Sequence, residues 1–194
     1  MNTYTKQGTD ERQAEQDKQY EALQKIGRCA MDSIRGMVAA LECDYDRLDE
    51  LKADRDLWVE NEDGDEDEQT RTSADWAKEF PDDAEELAEL EGAAGECSDR
   101  DDAERRIQED PLSLEYRSDW TTPGEKLTPA EFCLLLSTGG PATRIIGELD
   151  NGGVSRCRLQ AQDWFAPWTD IRLESGDDDI LETFCQTMGV GCEL

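Results

Sequence analysis

Apolar residues recur at Tyr20, Leu23, Ile26, Ala30, Ile34, Met37, Val38 and Leu41, mostly in steps of three and four. That is the stripe of an amphipathic helix. Gly27 and Gly36 fall inside it and leave either one helix or two shorter pieces. Residues 1–18 lack this period and are expected to form a frayed or mobile arm. Asp44 stands where a second helix needs its cap, with Tyr45, Leu48, Leu51 and Trp58 recurring on one side. Ser73 predicts the start of a short helix through Trp76 and Phe80, which Pro81 interrupts. A further helix fits 82–94, with Ala84, Leu87, Leu90 and Ala94 inward. Ser98 or Asp99 opens another, with Ala103 and Ile107 inward, and Pro111 closes it.

Beyond Pro111 the period becomes two. Leu112, Leu114, Tyr116, Ser118 and Trp120 alternate with polar residues, as in a half-buried strand. Residues 121–126 contain Pro-Gly and read as a turn. Thr128, Pro129 and Glu131 have the spacing of a helix start, so a brief turn and then a strand over 132–138 are expected. Gly139, Gly140 and Pro141 break it. Residues 143–149 and 154–163 form a hairpin pattern around Asp150, Asn151, Gly152 and Gly153, residues that tolerate positive φ. A last helix fits 177–188, with Ile180, Leu181, Phe184 and Met188 inward. The predicted class is therefore α+β: acidic N-terminal helices, then an antiparallel sheet of about four strands and a C-terminal helix. Three stretches follow, an arm at 1–18, helices at 19–110, and sheet plus helix at 111–194. The last two either fold separately or pack as one domain.

Charge sharpens this picture. The 194 residues carry 49 acidic and 20 basic side chains, net −29. The surplus is uneven: residues 42–110 hold 29 acidic and 8 basic groups, and residues 111–194 hold 14 and 6. Such a field repels nucleic acid and anionic membrane surfaces and attracts cationic proteins. The longest apolar run, 132–136, is far short of the ~20 residues that span a bilayer. The polar start, with no apolar signal segment, predicts a cytoplasmic chain.

The chain has no histidine and seven cysteines, scattered without a C-x-x-C pair. Histidine-activated nucleophiles and histidine-bound metals are thereby excluded, and the thiols are expected to be free. Cys133 and Cys157 lie in strand patterns and read as small core residues. The acidic stretch 60–69 resembles a calcium loop only briefly. Counted from Asp63, Glu68 takes the place of the required glycine and Ala74 that of the required glutamate. No metal, cofactor or catalytic residue is predicted, and the chain is expected to bind rather than catalyse.

Candidate contact residues lie on the two acidic helices. The first carries Asp46, Asp49, Glu50, Asp54 and Asp56. The second carries Asp82, Asp83, Glu85, Glu86, Glu89 and Glu91, six carboxylates in ten residues. At ~1.5 Å per residue that is one charge per ~2.5 Å, between one DNA strand and the duplex. Trp164, Phe165 and Trp168 crowd around Pro167. They form either an aromatic contact surface or, as the preferred reading, a plug at the end of the sheet core.

The strings ERRIQEDPLSLEYRSDW, PGEKLTPAEFCLLLSTGGPATRIIGELDNGG and QDWFAPWTD resemble a family of small acidic proteins carried by phages, prophages and plasmids. The resemblance covers roughly residues 104–170 and leaves out the acidic helices and the C-terminus. Relatives are associated with anti-CRISPR function. The resemblance therefore implies an inhibitor of a basic nucleic-acid-binding protein, a bacterial CRISPR effector among them, in the host cytoplasm. The charge suggests that it acts as a nucleic-acid mimic. The alternative is a non-catalytic accessory protein that binds its partner through the sheet and the aromatic corner.

Overall fold

The computed structural model describes residues 6–60, 71–164 and 166–191, with residues 6–10 described by their backbone course alone. The predicted acidic loop at 60–69 falls almost wholly outside them. The class is α+β: N-terminal helices, a five-strand antiparallel sheet and a C-terminal helix. The elements are α1 (Lys6–Glu42), α2 (Tyr45–Glu60), α3 (Ser73–Glu79), α4 (Pro81–Ala94) and α5 (Arg100–Glu109). The strands β1 (Ser113–Ser118), β2 (Pro129–Ser137), β3 (Ala142–Asp150), β4 (Gly153–Gln162) and β5 (Thr169–Asp170) follow, then α6 (Asp177–Thr187). No helix among the described residues is long and apolar enough to cross a membrane.

The chain forms two compact units, one of residues 1–35 with 106–194 and the other of residues 36–105. On the C-terminal side this division falls near the boundary read from charge. On the N-terminal side it groups the first 35 residues with the sheet. The expected arm at 1–18 is helical from Lys6, as the start of α1, with exposed side chains over 11–18. Helix propensity suffices there without an apolar stripe, because the stretch is rich in Gln, Glu, Lys and Arg.

In the first unit the strands run as a meander in sequence order, each antiparallel to the next. Leu134, Ile145 and Leu159 are fully buried, whereas Cys133, Arg144 and Ile146 between them are only half-buried, so one sheet face is the core face. Helix α6 packs on β4 and buries Leu181, Phe184 and Cys185. Helix α1 is continuous through Gly27, where the missing side chain lets Ile171 approach: a Cβ there would lie 2.2 Å from Ile171 Cγ1. The β3–β4 hairpin turns through Asn151 (φ 51°) and Gly152 (φ 83°), as its sequence predicts.

Three details of the sheet differ from expectation. Strand β2 begins at Pro129, not at 132, so the helix-start spacing is overridden by pairing. A proline costs little as the first residue of a strand, and Glu131 there ion-pairs with Arg117 across β1. Strand β1 is an edge strand and ends at Ser118. Leu112 and Trp120, expected on its inner face, lie outside it, and Trp120 is wholly exposed. Finally, β5 is only two residues long, too short to show a period.

In the second unit Leu48, Leu51, Trp76, Leu87 and Ala94 form one buried cluster, with Tyr45, Trp58, Ala84 and Leu90 packed against it. The apolar positions predicted for α2 and α4 are therefore the ones that face inward. The cap of α3 is Thr72 and not Ser73. Its hydroxyl accepts from Asp75 N, and the Asp75 side chain accepts in return from Thr72 N.

Candidate functional site

The carboxylates singled out on α2 and α4 all lie in the second unit, which holds 27 acidic and 7 basic residues. Asp44 caps α2 as expected, accepting from Arg47 N at 3.0 Å. Burial of Leu48 and Leu51 on α2, and of Leu87 and Ala94 on α4, fixes how each helix is rotated. With ~3.6 residues per turn, positions 82, 85 and 89 then fall on the side of α4 away from the core.

The structure sorts the eleven candidates into two groups. Arg47, from α2, reaches across to α4. Its Nε donates to Glu86 Oε1 at 3.1 Å and its Nη2 to Glu86 Oε2 at 2.7 Å. Asp83 and Glu50 stand 3.6 Å from the same guanidinium. Arg55 does similar work further along, 2.9 Å from Asp56 and 3.7 Å from Glu91. These five carboxylates are engaged within the protein, and Asp83 and Glu86 are only half-exposed. The paired bonds from Arg47 hold the Glu86 carboxyl below the usual carboxylate range. The other six, Asp46, Asp49, Asp54, Asp82, Glu85 and Glu89, are exposed. Among the described residues their side chains make no hydrogen bond or ion pair.

The aromatic segment differs from the preferred reading. Trp164 does not plug the core: it is 68% exposed, with its indole against Gly140. After β4 the chain turns sharply, with Ala166 N donating to Asp163 O and Gln162 Nε2 donating to Ala166 O. Buried Ala166 and Ile171 occupy the inner positions instead of the large rings. Phe165 lies outside the described residues. Trp168 is half-buried, with the Arg144 guanidinium stacked 4.1 Å from its ring centroid.

The six described cysteines carry no disulfide. Cys157 is buried in the core as expected, and Cys133 is half-buried on the opposite sheet face. Among the described residues no group of three or more His, Cys, Asp or Glu is arranged to hold a metal ion. Sequence reasoning missed Arg47 and Arg55, because their partners on α4 lie some forty residues away. Only the spacing of Arg47 to Glu50 on one helix was a local signal.

Comparison with protein-family models, with curated proteins and with solved structures finds no match.

Proposed function

We propose that the chain is a non-catalytic inhibitor carried by a phage or plasmid, acting in the bacterial cytoplasm. It covers a basic nucleic-acid-binding surface, such as that of a CRISPR effector. The carrying observation is the six exposed carboxylates on α2 and α4, which have no partner among the described residues while Arg47 and Arg55 engage the others. On α4 the free charges at 82, 85 and 89 are spaced by ~4.5 and ~6 Å along the axis. Alone that is sparser than one DNA strand, at ~3.4 Å per charge, and the three free carboxylates of α2 add to the field of the same unit. A positively charged channel that holds a nucleic acid by its backbone would accept such a surface. The resemblance of residues 104–170 supports the choice of a defence protein as target.

The test is a competition assay. The full-length protein is titrated into CRISPR effectors of several types, each with labelled target DNA, and released DNA is measured. The reading requires displacement from at least one effector with a matching loss of cleavage. Binding that leaves the DNA in place, or no binding to any effector tested, contradicts it.

A further inference from the structure

Four of the six basic residues of 111–194 share the outer face of the sheet: Arg117, Arg144, Arg156 and Arg158. Register sets them in rows. Arg117, Glu131, Glu148 and Arg156 run across β1 to β4, and Glu115, Cys133, Ile146 and Arg158 form the next row. Three of the arginines have carboxylate partners: Arg117 pairs with Glu131, Arg156 lies 3.8 Å from Glu148, and Arg158 lies 3.4 Å from Asp170.

Arg144 is different. Its Nε donates to Gln160 Oε1 at 2.9 Å, and its plane lies over Trp168. Gln160 is itself held, its Nε2 donating to Asp170 Oδ1 at 2.6 Å. The guanidinium is thus fixed at one edge and on one face, while among the described residues no carboxylate comes within ion-pair distance of it. In a chain with 49 acidic and 20 basic groups, a positioned guanidinium without a carboxylate calls for a ligand. It lines an open cavity of about 400 Å³, together with half-buried Cys133 and Ile146. That volume lies within the ~300–1,000 Å³ of ligand sites.

We propose that this cavity binds an acidic and apolar peptide segment of a protein partner. A Glu or Asp carboxylate of the segment takes the free fork of Arg144, and a neighbouring apolar side chain rests on Ile146 and Cys133. Two nearly parallel N–H donors match a carboxylate. A phosphate fits less well: Glu115, Glu131 and Glu148 line the same cavity and repel a dianion more than a monoanion. The chain's net −29 does not forbid the contact. On this face the four arginines face Glu115, Glu131, Glu148 and Asp170, so charge balances locally. More distant charge is screened beyond ~8 Å at physiological ionic strength. This surface belongs to the first unit and the acidic helices α2 and α4 to the second, and its test uses no nucleic acid.

The experiment follows the Ile146 methyl and Trp168 indole signals of the full-length protein by NMR. Four probes are titrated: a short Glu/Leu peptide, its Gln/Leu counterpart, 4-phenylbutyrate and inorganic phosphate. The Glu/Leu peptide is expected to shift both signals saturably, at least about 10-fold more tightly than the Gln/Leu peptide, as a lost charge-assisted hydrogen bond implies. Arg144→Gln should abolish the shifts. Arg144→Lys, which keeps the charge and loses the fork, should weaken them several-fold and decides the matter should Arg144→Gln not fold. The proposal is overturned by equal binding of the two peptides, by phosphate binding as tightly as the Glu/Leu peptide, or by full affinity in Arg144→Lys. Saturable binding of phenylbutyrate without binding of the peptide overturns the assignment to a protein partner.

Discussion

Arg35 grips Asp177 with two nitrogens, Nε at 3.0 Å from Oδ1 and Nη2 at 2.8 and 2.9 Å from Oδ1 and Oδ2. Asp177 is only 3% exposed. Its Oδ2 also accepts from Glu174 N at 2.7 Å, so the start of α6 is fixed by a residue of α1. Arg35→Gln would leave a buried carboxylate without its cation. The expected loss is about 3 kcal/mol, at the low end of the usual ~3–5 because Arg35 keeps some contact with water. Urea unfolding measures it; a loss under about 0.5 kcal/mol would show that the pair is only decorative.

Two helical glycines should respond oppositely to alanine. At Gly27 a Cβ would meet the Ile171 Cγ1, Cδ1 and Cγ2 atoms at 2.2, 2.3 and 2.8 Å, and Ile171 is buried. Crowding of that kind costs about 1–3 kcal/mol, which exceeds or cancels the ~1 kcal/mol gained in helix propensity. At Gly92 in α4 an added Cβ would meet no atom of another described segment within 4 Å. Gly27→Ala should therefore lower the midpoint of thermal unfolding or leave it unchanged, and Gly92→Ala should raise it. A rise for both would show that α1 and Ile171 are not in close contact.

Tyr45 has a buried hydroxyl with no hydrogen-bond partner among the described residues, and burial pushes its pKa up to about 12. Tyr45→Phe removes a polar group that is desolvated without return, so stability should hold or increase. The pH dependence has a definite sign. Above pH ~10 the unfolded tyrosine releases its proton while the folded one keeps it, so stability falls as pH rises from about 10 to 12. Comparing the two proteins by denaturation at pH 9 and pH 11.5 isolates this contribution: the wild type should lose more.

Trp164 and Trp168 should separate cleanly. Trp164→Ala removes an exposed ring and should change stability by no more than about 0.5 kcal/mol. Trp168→Ala removes a half-buried ring and the platform for Arg144, and should cost at least about 1–2 kcal/mol. Calorimetry of both variants checks the ranking; equal losses would restore the reading in which both rings plug the core.

Where a signal is local, the sequence revealed it. The inward stripe of α4 and the hairpin at Asn151 and Gly152 are set by neighbours within a few residues. The cap of α3 was misplaced by one because Thr72 and Ser73 are both hydroxyl residues, and only the return bond from Asp75 distinguishes them. What pairing decides was not legible. Pro129 and Glu131 spell a helix start until β1 and β3 claim them, and β5 exists only because β4 offers an edge. The acidic residues were legible as a set, but not which of them Arg47 and Arg55 engage. That depends on the packing of α2 against α4. Whether a tryptophan is inside also depends on what else fills the core, and here Ala166 and Ile171 do.

On the proposed function, the exposed carboxylates without internal partners, not acidity in general, make the contact with a basic partner. Asp46, Asp49, Asp54, Asp82, Glu85 and Glu89 are changed together to Asn or Gln, and compared with a variant in which six exposed carboxylates of residues 111–194 are neutralised. Association rates with an effector that releases its DNA in the competition assay are measured from about 0.05 to 0.5 M salt, over which the screening length falls from above ~10 Å to a few Å. The wild type and the second variant are expected to bind fast at low salt and to slow sharply as salt rises. The first variant should remain folded, bind more weakly by orders of magnitude, lose most of the salt dependence and no longer displace nucleic acid. Equal loss in the two variants, or binding indifferent to salt, would contradict it.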